Sequence, residues 1–122
     1  MQAARRAKLA AVAIAALAVP AGMVISTSGT ASANAPCGKA GQNYDPTVVN
    51  MTAGVSANMR SGSSTSCAIK GWADNQDSLD YYCWTGGENG TWTYLYNRHD
   101  GTYGWVKDSL LPGYGAEYAC DF

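Results

Sequence analysis

Between residues 48 and 107, apolar and polar side chains alternate in short runs, and clusters of Gly, Asn, Asp and Ser separate one run from the next. Nothing in residues 34–122 sustains a helical period, so the pattern predicts a small all-β fold of antiparallel strands. Residues 67–72 (Cys-Ala-Ile-Lys-Gly-Trp) and 79–85 (Leu-Asp-Tyr-Tyr-Cys-Trp-Thr) flank the turn-rich stretch 73–78. Folded as a hairpin centred on Asn75, they set Cys67 opposite Cys83, Ile69 opposite Tyr81 and Lys70 opposite Asp80. One register thus yields a cross-strand cysteine pair and an opposite-charge pair together. A slip of one residue would lose both.

The next hairpin, centred on Glu88 in the glycine-rich stretch 86–91, sets Trp84 opposite Trp92, Tyr82 opposite Tyr94 and Tyr81 opposite Leu95. Asp100-Gly101 then reads as a two-residue turn that demands positive φ, which sets Tyr96 opposite Trp105 and Leu95 opposite Val106. The three hairpins sort the side chains by face. Cys67, Ile69, Leu79, Tyr81, Cys83, Leu95 and Val106 share the face expected to form the core. Tyr82, Trp84, Trp92, Tyr94, Tyr96 and Trp105 share the other, interrupted by Lys70, Asp80 and Lys107. Charges among aromatics mark that second face as at least partly wet.

Residues 1–33 read as an export address. Arg5, Arg6 and Lys8 precede an apolar run over residues 9–25, and Ala31-Ser32-Ala33 supplies the small-x-small pattern at which signal peptides are cut. The run is Ala-rich, contains Pro20 and Gly22 and is short for a spanning helix, so no membrane association is expected after cleavage. Cutting after Ala33 removes 33 of the 122 residues and leaves 89, the size of one domain. Three of the eight basic residues leave with the signal; five then face nine acidic ones, near −4. Such a surface argues against nucleic acid as the main partner.

Cys37, Cys67, Cys83 and Cys120 all lie beyond the signal. An even count in a short exported chain reads as a disulfide framework with three possible pairings. The Asn75-centred register selects Cys67–Cys83 and, by elimination, Cys37–Cys120. Residues 34–47 would then be tied by Cys37, and residues 112–122 by Cys120, to a domain over 48–111. Zinc fits poorly, because no C-x-x-C knuckle exists and His99 is the only histidine.

Several segments resemble the bacterial SH3 (SH3b) family. Asn58-Met59-Arg60-Ser61-Gly62-Ser63-Ser64 resembles its "L-N-V-R-S-G-P-S" opening, and Trp92-Thr93-Tyr94-Leu95 its "W-y-k-V". Asp100-Gly101-Thr102-Tyr103-Gly104-Trp105-Val106 is similar to the "dG-x-x-GWV" hairpin, with Ser109-Leu110-Leu111 as the closing "s-y-l". Ala57 and Ser63 stand where the family has Leu and Pro, and the cysteines are not a general family feature. The resemblance implies a small SH3-like half-open barrel of five or six antiparallel strands, here disulfide-stapled. It also implies a role in binding cell-wall peptidoglycan or peptides.

Catalytic machinery is thin. His99 sits beside a turn, and the thiols are expected to be bonded. Asp74, Asp77 and Asp80 miss the calcium-loop pattern, since Gln76 and Ser78 fall where ligands should stand. No catalytic residue, metal or cofactor is expected. Arg60 is expected to anchor its loop. Asn50-Met51-Thr52 and Asn89-Gly90-Thr91 are glycosylation sequons, meaningful only on a eukaryotic secretory path.

Four Trp and eight Tyr against a single Phe carry the functional signal, because a buried indole or phenol needs a polar partner whereas a half-wet one suits stacking on sugars or peptides. Trp84 and Trp92, with Tyr82 and Tyr94, are the ligand-binding candidates; Trp105 is expected to be structural. The competing arrangement has residues 44–66 folding over this face. The expectation is a secreted, non-catalytic binding module, extracellular or cell-wall associated, that recognises cell-envelope glycan or stem peptide. The alternative is a secreted protein-interaction factor, an inhibitor or signalling ligand for an extracellular protein.

Overall fold

Residues 34–122 are described by the computed structural model, so the export signal assigned to residues 1–33 lies outside the described residues. Six strands form one antiparallel sheet: β1 (Val48–Asn50), β2 (Ser56–Arg60), β3 (Ile69–Asp74), β4 (Ser78–Gly87), β5 (Gly90–Asn97) and β6 (Thr102–Lys107). Their order is β1-β4-β5-β6-β2-β3, which leaves β1 and β3 as edges. The result is the expected all-β, disulfide-stapled, half-open barrel. Short 3-10 turns at Asp108–Leu110 and Pro112–Tyr114 follow the last strand.

The core follows strand alternation. Met51, Ala57, Met59, Ala73, Leu79, Tyr81, Leu95, Val106, Leu111 and Ala116 pack together, with Trp84 against them. Ile69, expected inward, is instead 44% exposed on the edge strand β3.

The first expected hairpin does not form. Strand β3 turns back onto β2, pairing Asn58 with Trp72 and Arg60 with Ile69. The tight turn after Asp74 then carries the chain to the opposite side of the sheet, where β4 pairs with β1 and β5. Here Gln76 takes a positive φ of 61° and the Asp77 N–H donates to the Asp74 carbonyl. That turn is a barrel corner, so nothing aligns Cys67 with Cys83.

The disulfides are accordingly Cys37–Cys67 and Cys83–Cys120, correcting the expected Cys67–Cys83 and Cys37–Cys120. Cys67 lies in the β2–β3 loop, and the N-terminal segment reaches it through the Gly38 N–H to the Ser61 carbonyl and the Ser63 N–H to the Ala35 carbonyl. Cys83 is redirected by a bulge in β4. Tyr81 faces Leu95, but the next pair is Cys83 with Tyr94, leaving Tyr82 as the extra residue. Beyond a bulge the strand's faces exchange. Cys83 therefore leaves the main core face, and the C-terminal tail meets it there, since the Cys120 N–H donates to the Trp84 carbonyl.

The other two hairpins form with altered registers. Glu88 and Asn89 make a two-residue turn, so Gly86, Gly87, Gly90 and Thr91 are paired strand residues and not a free loop. Gly87 is required there, because a Cβ would sit 2.4 Å from the Ser63 carbonyl oxygen and 2.6 Å from Trp92 Cδ1. The turn between β5 and β6 runs over residues 98–101, wider than expected, and pairs Tyr94 with Trp105 and Tyr96 with Tyr103. That is a shift of two residues, so every side chain keeps its expected face.

Candidate functional site

The second face of the sheet divides into a buried half and an open half. In the buried half, Trp92 (3% exposed) and Trp105 (0%) pack with Ala35, against Tyr94, Cys120 and Phe122. Both indoles have their polar partner: Trp92 Nε1 donates to the Glu88 carbonyl at 2.9 Å, and Trp105 Nε1 to the Lys39 carbonyl at 2.7 Å. Much of the cover comes from residues 35–39 and from the tail at Cys120–Phe122. Phe122 meets the Trp105 ring edge-on at 6.2 Å, and Lys39 Nζ lies 4.6 Å from the Phe122 ring centre.

Four tyrosines make the open half. Tyr82 comes from β4, Tyr94 and Tyr96 from β5, and Tyr103 from β6. Ring centres are 5.7 Å apart for Tyr82–Tyr94, 5.9 Å for Tyr82–Tyr103, 6.0 Å for Tyr94–Tyr103 and 4.6 Å for Tyr96–Tyr103. Tyr94 and Tyr103 are near-parallel, and the Tyr82 ring stands edge-on to both. Tyr103 is 44% exposed and the other three are half-buried. Burial, then the hydrogen bond with the Tyr103 hydroxyl, pushes the Tyr82 phenol up to about 12. Burial raises Tyr94 as well. On the same strand Asp80 is raised by burial, against the Arg98 charge that lowers it. The Tyr82 and Tyr94 phenols thus remain neutral hydrogen-bonding groups at ordinary pH.

Trp84 and Trp92 do not stand opposite each other. The bulge at Tyr82 places Trp84 beside Thr93 and against the main core, while Trp92 pairs with Thr85 on the other face. Of the four ligand-binding candidates the structure brings together Tyr82 and Tyr94, leaves Trp84 half-buried elsewhere, and encloses Trp92. The pattern reading missed Tyr103, although pairing it with Tyr96 needed only the wider β5–β6 turn.

In comparisons with known proteins, no family model, no curated protein and no solved structure matches the chain.

The remaining singled-out residues separate. Arg60 Nη1 donates to the Thr65 and Cys67 carbonyls, both at 3.0 Å, and so anchors its loop. Asp74 accepts from the Ser56 hydroxyl, and Asp80 lies among the tyrosines, so the three aspartates do not converge. Asp77 instead approaches His99 and Asp100, whose carboxylates hold the imidazole pKa above its usual value, chiefly through the Asp100 hydrogen bond. Asn50 and Asn89 are exposed. Among the described residues no helix is long and apolar enough to cross a membrane.

Proposed function

We propose that this protein is a secreted, non-catalytic module of the SH3b type whose tyrosine face recognises cell-envelope material, peptidoglycan glycan or its stem peptide. The observation that carries this reading is the half-exposed quartet Tyr82, Tyr94, Tyr96 and Tyr103 on one face of a rigid sheet. Soluble domains expose large clustered aromatics where they bind. Tyr offers a flat apolar ring for the faces of sugars or side chains, and a hydroxyl for their polar rims. The two disulfides are compatible with an extracellular location. The sequence resemblance of residues 58–64, 92–95 and 100–106 to bacterial SH3 domains supports the same reading.

A second reading, a protein-interaction factor, is favoured by one feature. Trp72 (51% exposed) and Ile69 project from the edge strand β3, away from the tyrosines in the sheet order. Sedimentation of the protein with purified cell walls separates the two readings. Wall binding that is lost on Tyr103→Ala supports the first. No binding to walls, or binding lost on Trp72→Ala and kept on Tyr103→Ala, overturns it.

A further inference from the structure

Beyond the end of the tyrosine cluster, next to Tyr96, the turn between β3 and β4 meets the turn between β5 and β6. His99 Nδ1 lies 2.9 Å from Asp100 Oδ1 and 3.3 Å from Asp77 Oδ1, and each of the three residues offers a ligand atom within 4.8 Å of those of the other two. Asp77 is only 8% exposed. Its Oδ2 accepts from the Asp74 N–H and from Asn97 Nδ2, both at 2.9 Å. Its Oδ1 accepts no hydrogen bond among the described residues and looks at the imidazole. A carboxylate on so buried a residue is costly unless hydrogen bonds or a cation meet it, and Oδ1 is the oxygen left to a cation.

We propose that Asp77, His99 and Asp100 form a binding site for one divalent transition-metal ion of the zinc class. Bonds of about 2.0–2.2 Å to nitrogen and oxygen place neighbouring ligands of a tetrahedral ion about 3.3 Å apart. The two separations at His99 Nδ1, 2.9 and 3.3 Å, are close to that spacing before any adjustment. One imidazole nitrogen with two carboxylates suits such an ion, whereas calcium takes about six to eight oxygens.

The surroundings hold the donors in place. Asn97 is fully buried, and its Oδ1 accepts the His99 and Asp100 N–H groups at 2.9 and 3.2 Å, which fixes the loop that carries both ligands. Its Nδ2 fixes Asp77 at the same time. Hydrogen bonds of this kind orient ligands and sustain affinity. The His99 side chain is 72% exposed, so the ion's outer side faces solvent and takes water or a donor from a partner.

The site stands apart from the tyrosine-face reading and is tested without any wall ligand. Purified tag-free protein is titrated with Zn²⁺, then with Ca²⁺, by calorimetry and by NMR. His99 is the only histidine, so the imidazole signals report this site alone. The expected result is one Zn²⁺ per chain, shifted His99 ring resonances, and affinity reduced about tenfold or more by His99→Ala and by Asp100→Asn. Both positions are exposed, so an unchanged melting curve shows that the variants fold. Absence of saturable Zn²⁺ binding, binding that survives His99→Ala, or Ca²⁺ binding as tight as Zn²⁺ would each overturn the proposal.

Discussion

Replacing Tyr103 by Ala separates binding from stability, because the structure leaves this ring the most exposed of the quartet although it touches the other three. At 44% exposure, truncation forfeits about half of the roughly 1.5–3 kcal/mol that full burial of such a side chain provides. Lost contacts with Tyr82, Tyr94 and Tyr96 add about 0.5–1.5 kcal/mol. The total, about 2 kcal/mol, corresponds to a fall of roughly 10 °C in Tm for a domain of this size and leaves it folded. An aromatic anchor at a binding surface costs about 2 kcal/mol or more when removed, which is about thirtyfold in Kd. Trp105→Ala should behave in the opposite sense. That ring is fully buried, and its removal costs about 3–5 kcal/mol while leaving the Lys39 carbonyl without its donor. Thermal unfolding and sedimentation with cell walls on the same preparations give both quantities. Tyr103→Phe keeps the ring and loses the hydroxyl, so it distinguishes stacking from hydrogen bonding. A Tyr103→Ala protein that stays folded and binds walls as tightly as its parent would refute the argument.

Non-reducing peptide mapping should recover Cys37 joined to Cys67 and Cys83 joined to Cys120, and replacing both members of either pair by Ser should cost about 2–5 kcal/mol in denaturant unfolding. Asp108 is fully buried and accepts the Thr91 and Thr93 hydroxyls at 2.6 and 2.5 Å, so Asp108→Ala should lower the urea midpoint by the equivalent of about 3 kcal/mol. An unchanged midpoint would show that this network contributes nothing. Glu88 is held below its usual pKa of 4.5 by hydrogen bonds from the Thr65 hydroxyl and N–H and from the Ser64 hydroxyl. A depressed carboxylate contributes stability above the unfolded pKa and loses it as pH falls through the folded one, so the Tm should decline below about pH 4.5. Glu88→Gln should flatten that decline.

Alternation made much of the sheet legible, because a period of two survives any register shift of two residues. Leu79, Tyr81, Leu95 and Val106 were placed on the core face, and the structure buries each of them. The wider turn at residues 98–101 moved Trp105 from Tyr96 to Tyr94 without changing its face. Two features lay outside what a local pattern can carry. The bulge at Tyr82 adds one residue to β4, and one residue suffices to exchange the faces of Cys83 and Trp84. The pairing of β3 with β2 is decided by competition between partners, and adjacency across a turn is no guide where that turn is a barrel corner. The cysteine and charge matches that favoured the Asn75 hairpin were coincidences of numbering. Both departures in cysteine pairing descend from these two features, since the pairing of β3 with β2 removes Cys67 from Cys83 and the bulge delivers Cys83 to the tail.

The same two features explain why tyrosines, and not tryptophans, line the open half of the face. Each disulfide fastens one terminal segment of the described residues: Cys37–Cys67 holds the segment from residue 34 to the β2–β3 loop, and Cys83–Cys120 holds the tail to β4. Those segments bring the Lys39 carbonyl and Phe122 over Trp105, and Ala35 against the Trp92–Trp105 cluster. The cover continues to the near side of Tyr94, where a Cβ on Gly41 would lie 2.7 Å from Cys83 Sγ and 2.8 Å from Tyr94 Cβ. Tyr94 is therefore clamped on one side by stapled backbone and tilted against buried Trp105 at 5.0 Å, with its other neighbours being Tyr82 and Tyr103. A ring held in this way loses little freedom when a ligand stacks on its neighbours, which lowers the entropic cost of binding. The staples thus act on the tyrosine face through Tyr94, and on the proposed reading stability and recognition meet at that residue.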